Sequence, residues 1–130
     1  MVDLTAQTSW VLLVTWTLSV LYELYRAMFK SSVSEFDSFR SWLGQGLPLL
    51  FILGFATALL VATGWTWAVW LTLVFVVAVI GISIFYYSPV ILPARKPGPL
   101  DHFEDKVFTG LLFVAAALLL YQVTGTALAA

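Results

Sequence analysis

The stretch LPLLFILGFATALLVATGWTWAVWLTLVFVVAVIGISIFYY, Leu47 to Tyr87, runs for 41 residues without one charged side chain. As a single helix it would extend about 60 Å, twice the roughly 30 Å thickness of a bilayer's hydrocarbon core. It must fold back on itself. The break belongs at Ala62-Thr63-Gly64-Trp65-Thr66, where glycine supplies turn freedom and Trp65 and Trp67 suit the water–lipid boundary. Two spans follow, about 47–63 and 65–87.

Working outward, the apolar run at about 4–25 is a first span, with Trp10 toward one face and Tyr22 and Tyr25 at the other, and a fourth runs over about 106–126. The first is a retained span and not a cleavable signal, since no Lys or Arg precedes it and Glu23-Leu-Tyr-Arg26 follows instead of a small-residue cleavage site. A composition of 62% hydrophobic, 16% aromatic and 10% charged residues is far from soluble usage. The expected fold is therefore all-α: a polytopic integral membrane protein, one domain over 1–130, with four transmembrane helices in a compact bundle.

Charge sets the expected topology. All six Lys and Arg fall in two stretches, Arg26–Arg40 and Arg95–Lys106. Cytoplasmic loops carry the excess of cationic residues, so the loops at 26–46 and 88–105 are expected in the cytoplasm and both termini outside, in a prokaryotic cell membrane. Each loop mixes acids with its bases, which gives nucleic-acid binding no support. The absence of cysteine excludes disulfides and thiolate metal sites.

Between the first two spans, Phe36, Phe39 and Leu43 recur at helical spacing, and Ser32 with Glu35 forms a capping-box pattern. These features predict a short helix lying on the membrane surface. The other loop, Ser88 to Pro99, holds four of the five prolines and predicts a stiff, extended connection. An offset of 64 residues aligns Ser19 with Ser83, Tyr22 with Tyr86, Asp37 with Asp101 and Gly46 with Gly110, a possible 2+2 parallel repeat.

The richest chemistry is Asp101-His-Phe-Glu-Asp-Lys106. Asp101 reads as an N-cap, with Glu104 completing a capping box at the start of the fourth span. The competing reading is a proton or metal site using His102 with Glu104 or Asp105. Glu23 and Arg26, three apart on one helix, read as anchors reaching toward headgroups, with a gate, a subunit contact or an anionic-lipid site shared with Lys30 and Arg40 as the alternative. Gln122 and Tyr121 are polar candidates for a solute pathway, or a hydrogen-bonded pair facing another helix.

Inside the spans proper no Asp, Glu, Lys, Arg or His is expected, which excludes proton relays, voltage sensors, a retinal lysine and bis-histidine haem ligation. Ser19 and Ser83 lack a base at comparable depth, so nucleophilic catalysis has no footing. Small residues (Gly54, Ala58 and Ala62; Ala78 and Gly81; Gly110 and Ala115–Ala117) are packing material, and Thr15, Ser19 and Thr57 are expected to add interhelical hydrogen bonds of about 0.6–2 kcal/mol each. No catalytic, metal or cofactor site is implied. The expected partners are the lipid bilayer and other membrane subunits or further copies of the chain. The expected role is a non-catalytic accessory or scaffold subunit of a membrane assembly. The alternatives are a homo-oligomeric channel or facilitator for a small neutral solute, and a lipid- or quinone-binding enzyme subunit acting through Glu23, Arg26 and His102.

Overall fold

The computed structural model describes residues 4–29, 47–94 and 98–129. Among them every regular element is helical: α1 (Thr5–Phe29), α2 (Leu47–Ala62), α3 (Thr66–Ile82) and α4 (Pro99–Ala129). A π-helical segment, Ser83–Ile91, carries α3 onward to a last turn at Leu92–Ala94. The surface helix expected at 32–43 lies outside the described residues, as do Lys30 and Arg40. The chain reverses between α2 and α3 at Thr63 and Gly64, and Gly64 has φ 76°, a conformation that costs an L side chain strain.

Several boundaries differ from the expected ones. The first helix continues past Tyr25 to Phe29, which places Arg26 on a helix face instead of in a loop. The last begins at Pro99, well before Lys106, because Gly98-Pro99 is a good start: proline at the first helical position has no N–H to leave unpaired. From Ser88 to Ala94 the connection is helical and not extended. Its first proline, Pro89, lies inside the π-helical segment, whose wider i→i+5 winding departs from the α ladder that a proline interrupts.

Each helix packs on its two neighbours in the cyclic order α1–α2–α3–α4–α1. Neighbours run antiparallel. Ser9 bonds Ala58 and Trp16 meets Phe51 along α1 and α2, and Trp16 meets Phe108 while Arg26 meets Asp101 along α1 and α4. Trp16 is the hub, with its ring centroid 6.3 Å from that of Phe51 on α2, 6.0 Å from Phe75 on α3 and 5.5 Å from Phe108 on α4. Leu12, Val61, Val69, Val76, Leu112 and Leu119 fill the same interior.

Small residues divide by face. Gly54, Ala58, Ala115 and Ala116 are buried between helices, whereas Ala62, Ala78, Gly110 and Ala117 are exposed and Gly81 is half-buried. A Cβ placed on Gly81 or Gly110 would meet nothing within 4 Å. On Gly54 it would overlap the Trp16 indole, and it would sit 2.8 Å from Nε1. The threonines also behave differently from expectation. Thr15 Oγ1 donates to Val11 O at 2.6 Å and Thr57 Oγ1 to Gly54 O at 2.8 Å, each within its own helix, because a helical hydroxyl finds the carbonyl of the preceding turn before a neighbour. Interhelical hydroxyl bonds come instead from other residues, among them Ser9 (to Ala58 O, 2.9 Å) and Ser83 (with Thr109 Oγ1, 2.7 Å).

Two stretches, Thr66–Ile91 and Pro99–Thr124, are each 26 residues and apolar enough to cross a membrane. The apolar helix Pro48–Ala62 is shorter, and α1 carries Thr8, Ser9, Thr15, Ser19, Glu23 and Arg26 along its length.

The Trp16–Gly54 contact generates a test. Gly54→Ala is expected to destabilise the fold by about 1–3 kcal/mol through overpacking, whereas Gly110→Ala, in open space, leaves stability unchanged or slightly raised by helix propensity; unfolding in detergent followed by circular dichroism separates the two.

Candidate functional site

Most polar side chains of α1, from Thr8 to Arg26, lie buried on one side of the helix, whereas Gln7 and Thr17 are exposed. Tyr22, Glu23 and Arg26 are all buried, Arg26 to 1% exposure, so neither Glu23 nor Arg26 is the outward-reaching anchor that their sequence position implies. Arg26 Nη1 donates to Asp101 Oδ1 of α4 at 2.8 Å, and Tyr22 Oη donates to the same oxygen. The other carboxylate oxygen, Oδ2, accepts the Gly98 backbone N–H at 2.6 Å.

Asp101 therefore has two roles. It is the third residue of its helix and not the N-cap, and it reaches back to the N–H of the residue before Pro99 as the acidic half of a capping box does. It also provides the counter-charge for a buried guanidinium 75 residues away in sequence. A buried charge needs such pairing and full hydrogen bonding, since an isolated one is expensive to remove from water.

The helix surface divides the rest of the hexapeptide. Asp101 faces inward, Glu104 and Asp105 are half-buried, and His102, Phe103 and Lys106 are exposed. The structure thus does not join His102 to an acidic site. Among the described residues no group of three or more His, Cys, Asp or Glu side chains is arranged to hold a metal ion. At the opposite end of α4, Tyr121 is exposed and its neighbour Gln122 is buried, so the two consecutive side chains point apart. Gln122 Oε1 and Thr8 Oγ1 are buried there without a hydrogen-bond partner.

Just inside the Arg26–Asp101 pair, a cleft of about 100 Å³ opens between the helices. Its acidic side is formed by Glu23 from α1 with Glu104 and Asp105 from α4, and its hydroxyl-bearing residues are Ser19, Ser83 and Tyr87, the two serines being those aligned by the 64-residue offset. The aligned tyrosines do not correspond in the same way, Tyr22 being buried and Tyr86 exposed. Trp16, Phe51 and Phe108 form apolar wall.

One side of the cleft is shaped by a mismatch of helix types. Ser83 bonds Thr109 at 2.7 Å, and five residues on Ser88 Oγ donates to Asp105 Oδ2 at 2.8 Å. A five-residue step on the π segment meets a four-residue step on the α-helix facing it, as the i→i+5 and i→i+4 windings require. Asp105 Oδ1 is buried without a hydrogen-bond partner, and so is Nε1 of Trp16. Sequence reasoning grouped Glu104 and Asp105 with His102 and named Glu23 apart from them, but gave neither the convergence of the three carboxylates nor Trp16. The available signal for Trp16 was a large aromatic among the polar residues of α1, on the same helical stripe as Leu12, Ser19 and Glu23.

Compared with known protein families, with curated proteins and with solved structures, the chain matches none.

The geometry of the ion pair predicts a specific pattern of stabilities. Arg26→Met, which strands the Asp101 carboxylate, is expected to cost about 3–5 kcal/mol. Tyr22→Phe, which removes one hydrogen bond to a charged group, costs about 1.5–3 kcal/mol. Joining Arg26→Met to Asp101→Leu recovers most of the loss, and a double-mutant cycle on unfolding free energies reads the coupling.

Proposed function

We propose that this chain is a small, non-catalytic, four-span integral membrane protein that serves as an accessory or scaffold subunit of a membrane assembly. The observation that carries this reading is an inverted surface. In the most apolar windows of Thr66–Ile91 and Pro99–Thr124, only 44% and 33% of the residues are buried inside the protein. A helix apolar all round belongs in a large core or in lipid, and these two have no such core around them.

α1 supports the same reading by a different route. Its hydropathy is lowered by Thr8, Ser9, Thr15, Ser19, Glu23 and Arg26, all of them buried, while Val14, Leu18, Leu21 and Met28 face outward. Apart from the exposed Gln7 and Thr17, that is a helix with its polar side toward protein and its apolar side toward lipid. α2, at 16 residues or about 24 Å, is short for a span and would be accommodated by local thinning of the bilayer. Stacked Trp65 and Trp67, both exposed at the α2–α3 turn, suit the outer boundary. The cationic stretches then lie at the cytoplasmic face, with the two halves related by an axis along the membrane normal.

A scaffold needs surfaces for partner helices. The Ser83–Thr109 bond sets Gly81 and Gly110 at one level on adjacent helices, and neither has anything near the place a Cβ would occupy. Small residues facing lipid let another helix approach closely. Exposed Tyr121 and inward Gln122 give the solute-channel alternative no continuous polar path along α4.

Two measurements test the proposal. The chain has no native cysteine, so single cysteines at Arg40 and Arg95 are expected to label from the same, cytoplasmic side, and labelling from opposite faces sinks the topology. Purification in mild detergent is expected to bring stoichiometric foreign membrane subunits, and Gly81→Leu with Gly110→Leu to release them while unfolding stays within about 1 kcal/mol of the parent. A discrete homo-oligomer with solute flux in liposomes replaces this reading with the channel.

A further inference from the structure

We propose that the π-helical segment Ser83–Ile91 is a register switch: it exchanges with an α-helical form in which Tyr87 takes the place of Ser88 over Asp105 and the chain beyond turns by about 100°. Its length is the first sign. π winding ordinarily occurs as a single-turn bulge inside an α-helix, whereas here it runs for nine residues. The change of winding is visible in the backbone at the two ends. Ser83 N–H bonds to the carbonyls of Ile80 and Val79, within α spacing, and Leu92 N–H bonds to Tyr87 O, five residues back.

The sequence suits both windings. In the π register the inward residues that follow Ser83 are Ser88, bonded to Asp105 Oδ2, and Leu92, which is buried. Steps of four from Ser83 lead instead to Tyr87 and Ile91, and both are half-buried in the observed form. Each stripe carries a hydroxyl and then an aliphatic side chain, so a shift of one residue replaces like with like. Tyr87 and Asp105 already line the same cleft, and Asp105 Oδ1 is buried without a donor. Tyr87 has interactions of its own in the π register, so the conversion trades one set of contacts for another.

Two features weight the balance toward the π form. Ser88 donates to a carboxylate, a charge-assisted bond. Pro89 has no N–H for an α ladder, and in that ladder its ring would meet the carbonyl four residues back, that of Phe85. On the other side stand the commoner winding and the phenol O–H that Tyr87 brings to Asp105. Inside the protein, the register decides which hydroxyl holds the carboxylate. Outside, it turns the exposed Pro89, Val90 and Pro93 about the helix axis. A contact on that outer face is thereby linked to the state of the cleft, since whatever binds one form better draws the population toward it.

The test is fluorine NMR relaxation dispersion on the full chain in phosphatidylcholine nanodiscs, with fluorotyrosine at all five tyrosines and the Tyr87 line assigned by its loss in Tyr87→Phe. Helix register shifts fall in the μs–ms range that this measurement reads. Tyr87 is expected to exchange with a minor state of about 0.1–10%, while Tyr22, held at the ion pair, gives a flat profile. Ser88→Ala, which removes the bond to Asp105 Oδ2, raises the minor-to-major ratio at least about tenfold, the loss of one hydrogen bond to a charged group. Pro89→Ala moves the Tyr87 line to the chemical shift of the minor state; should that variant not fold, Ser88→Ala carries the test alone. A flat Tyr87 profile in the parent or in Ser88→Ala, or a Pro89→Ala line away from the minor-state shift, overturns the proposal.

Discussion

Trp16 projects from α1 to the place where α2, α3 and α4 converge, and the interior is fitted around its indole. Phe51, Phe75 and Phe108 each approach it from a different helix. Gly54 is bare so that the ring can lie against α2. In the proposed membrane setting, where burying apolar surface between helices gains little over leaving it against acyl chains, association rests on close van der Waals fit. A large planar side chain set against a glycine is such a fit, and one residue thereby fixes the distance from α1 to all three other helices. The same indole forms a wall of the acidic cleft, which ties the site to the core: neither can be altered alone.

The ion pair solves a different problem. A guanidinium and a carboxylate at this burial gain their mutual attraction only after losing hydration, and such pairs are commonly near neutral for net stability. Specificity is the better account of its use here. Asp101 is bound through both oxygens, to Arg26 and Tyr22 on one side and to the Gly98 N–H on the other. Sliding α1 along α4 by one turn would strand a full charge, whereas sliding the apolar surfaces alone would cost only imperfect packing. The pair therefore sets register between two helices whose other contacts, Leu12 and Trp16 with Leu112 and Phe108, are tolerant of small shifts.

Helical class and the turn at Gly64 were legible in the sequence because they depend on local properties, a long uncharged run and a residue free to take positive φ. The partner of Arg26 was not, since it lies 75 residues away and only the packed helices bring it near. Reading Glu23 and Arg26 as anchors followed from their place at the end of an apolar run. That position says how far along the helix they stand and nothing about whether the face they occupy meets lipid or protein. The same limit applies to Asp101, where a local capping signal was read but the interhelical bond was hidden, and to Thr15 and Thr57, whose hydroxyls turned to their own helices. Asp101 to Lys106 looked like one cluster in a list of letters. At 100° per residue its members are spread around the helix, and only Glu104 and Asp105 reach the cleft.

The cleft owes its chemistry to the π segment. Had α3 continued in the α register beyond Ser83, the residue one turn on, facing Asp105, would be Tyr87, four positions later, and Ser88 would be rotated away by about 100°. The wider winding that encloses Pro89 brings Ser88 round to donate to Asp105 Oδ2 instead. One oxygen is thereby held and the other kept buried and open, which fixes the carboxylate's orientation without satisfying it. A proline that a regular helix would reject is in this way connected, through one turn of altered pitch and one serine hydroxyl, to the only carboxylate oxygen among the described residues that is buried without a hydrogen-bond partner. Departures from α winding recur at functional sites because they re-aim side chains that the regular ladder would point elsewhere, and here the side chain re-aimed is Ser88, which fixes the Asp105 carboxylate.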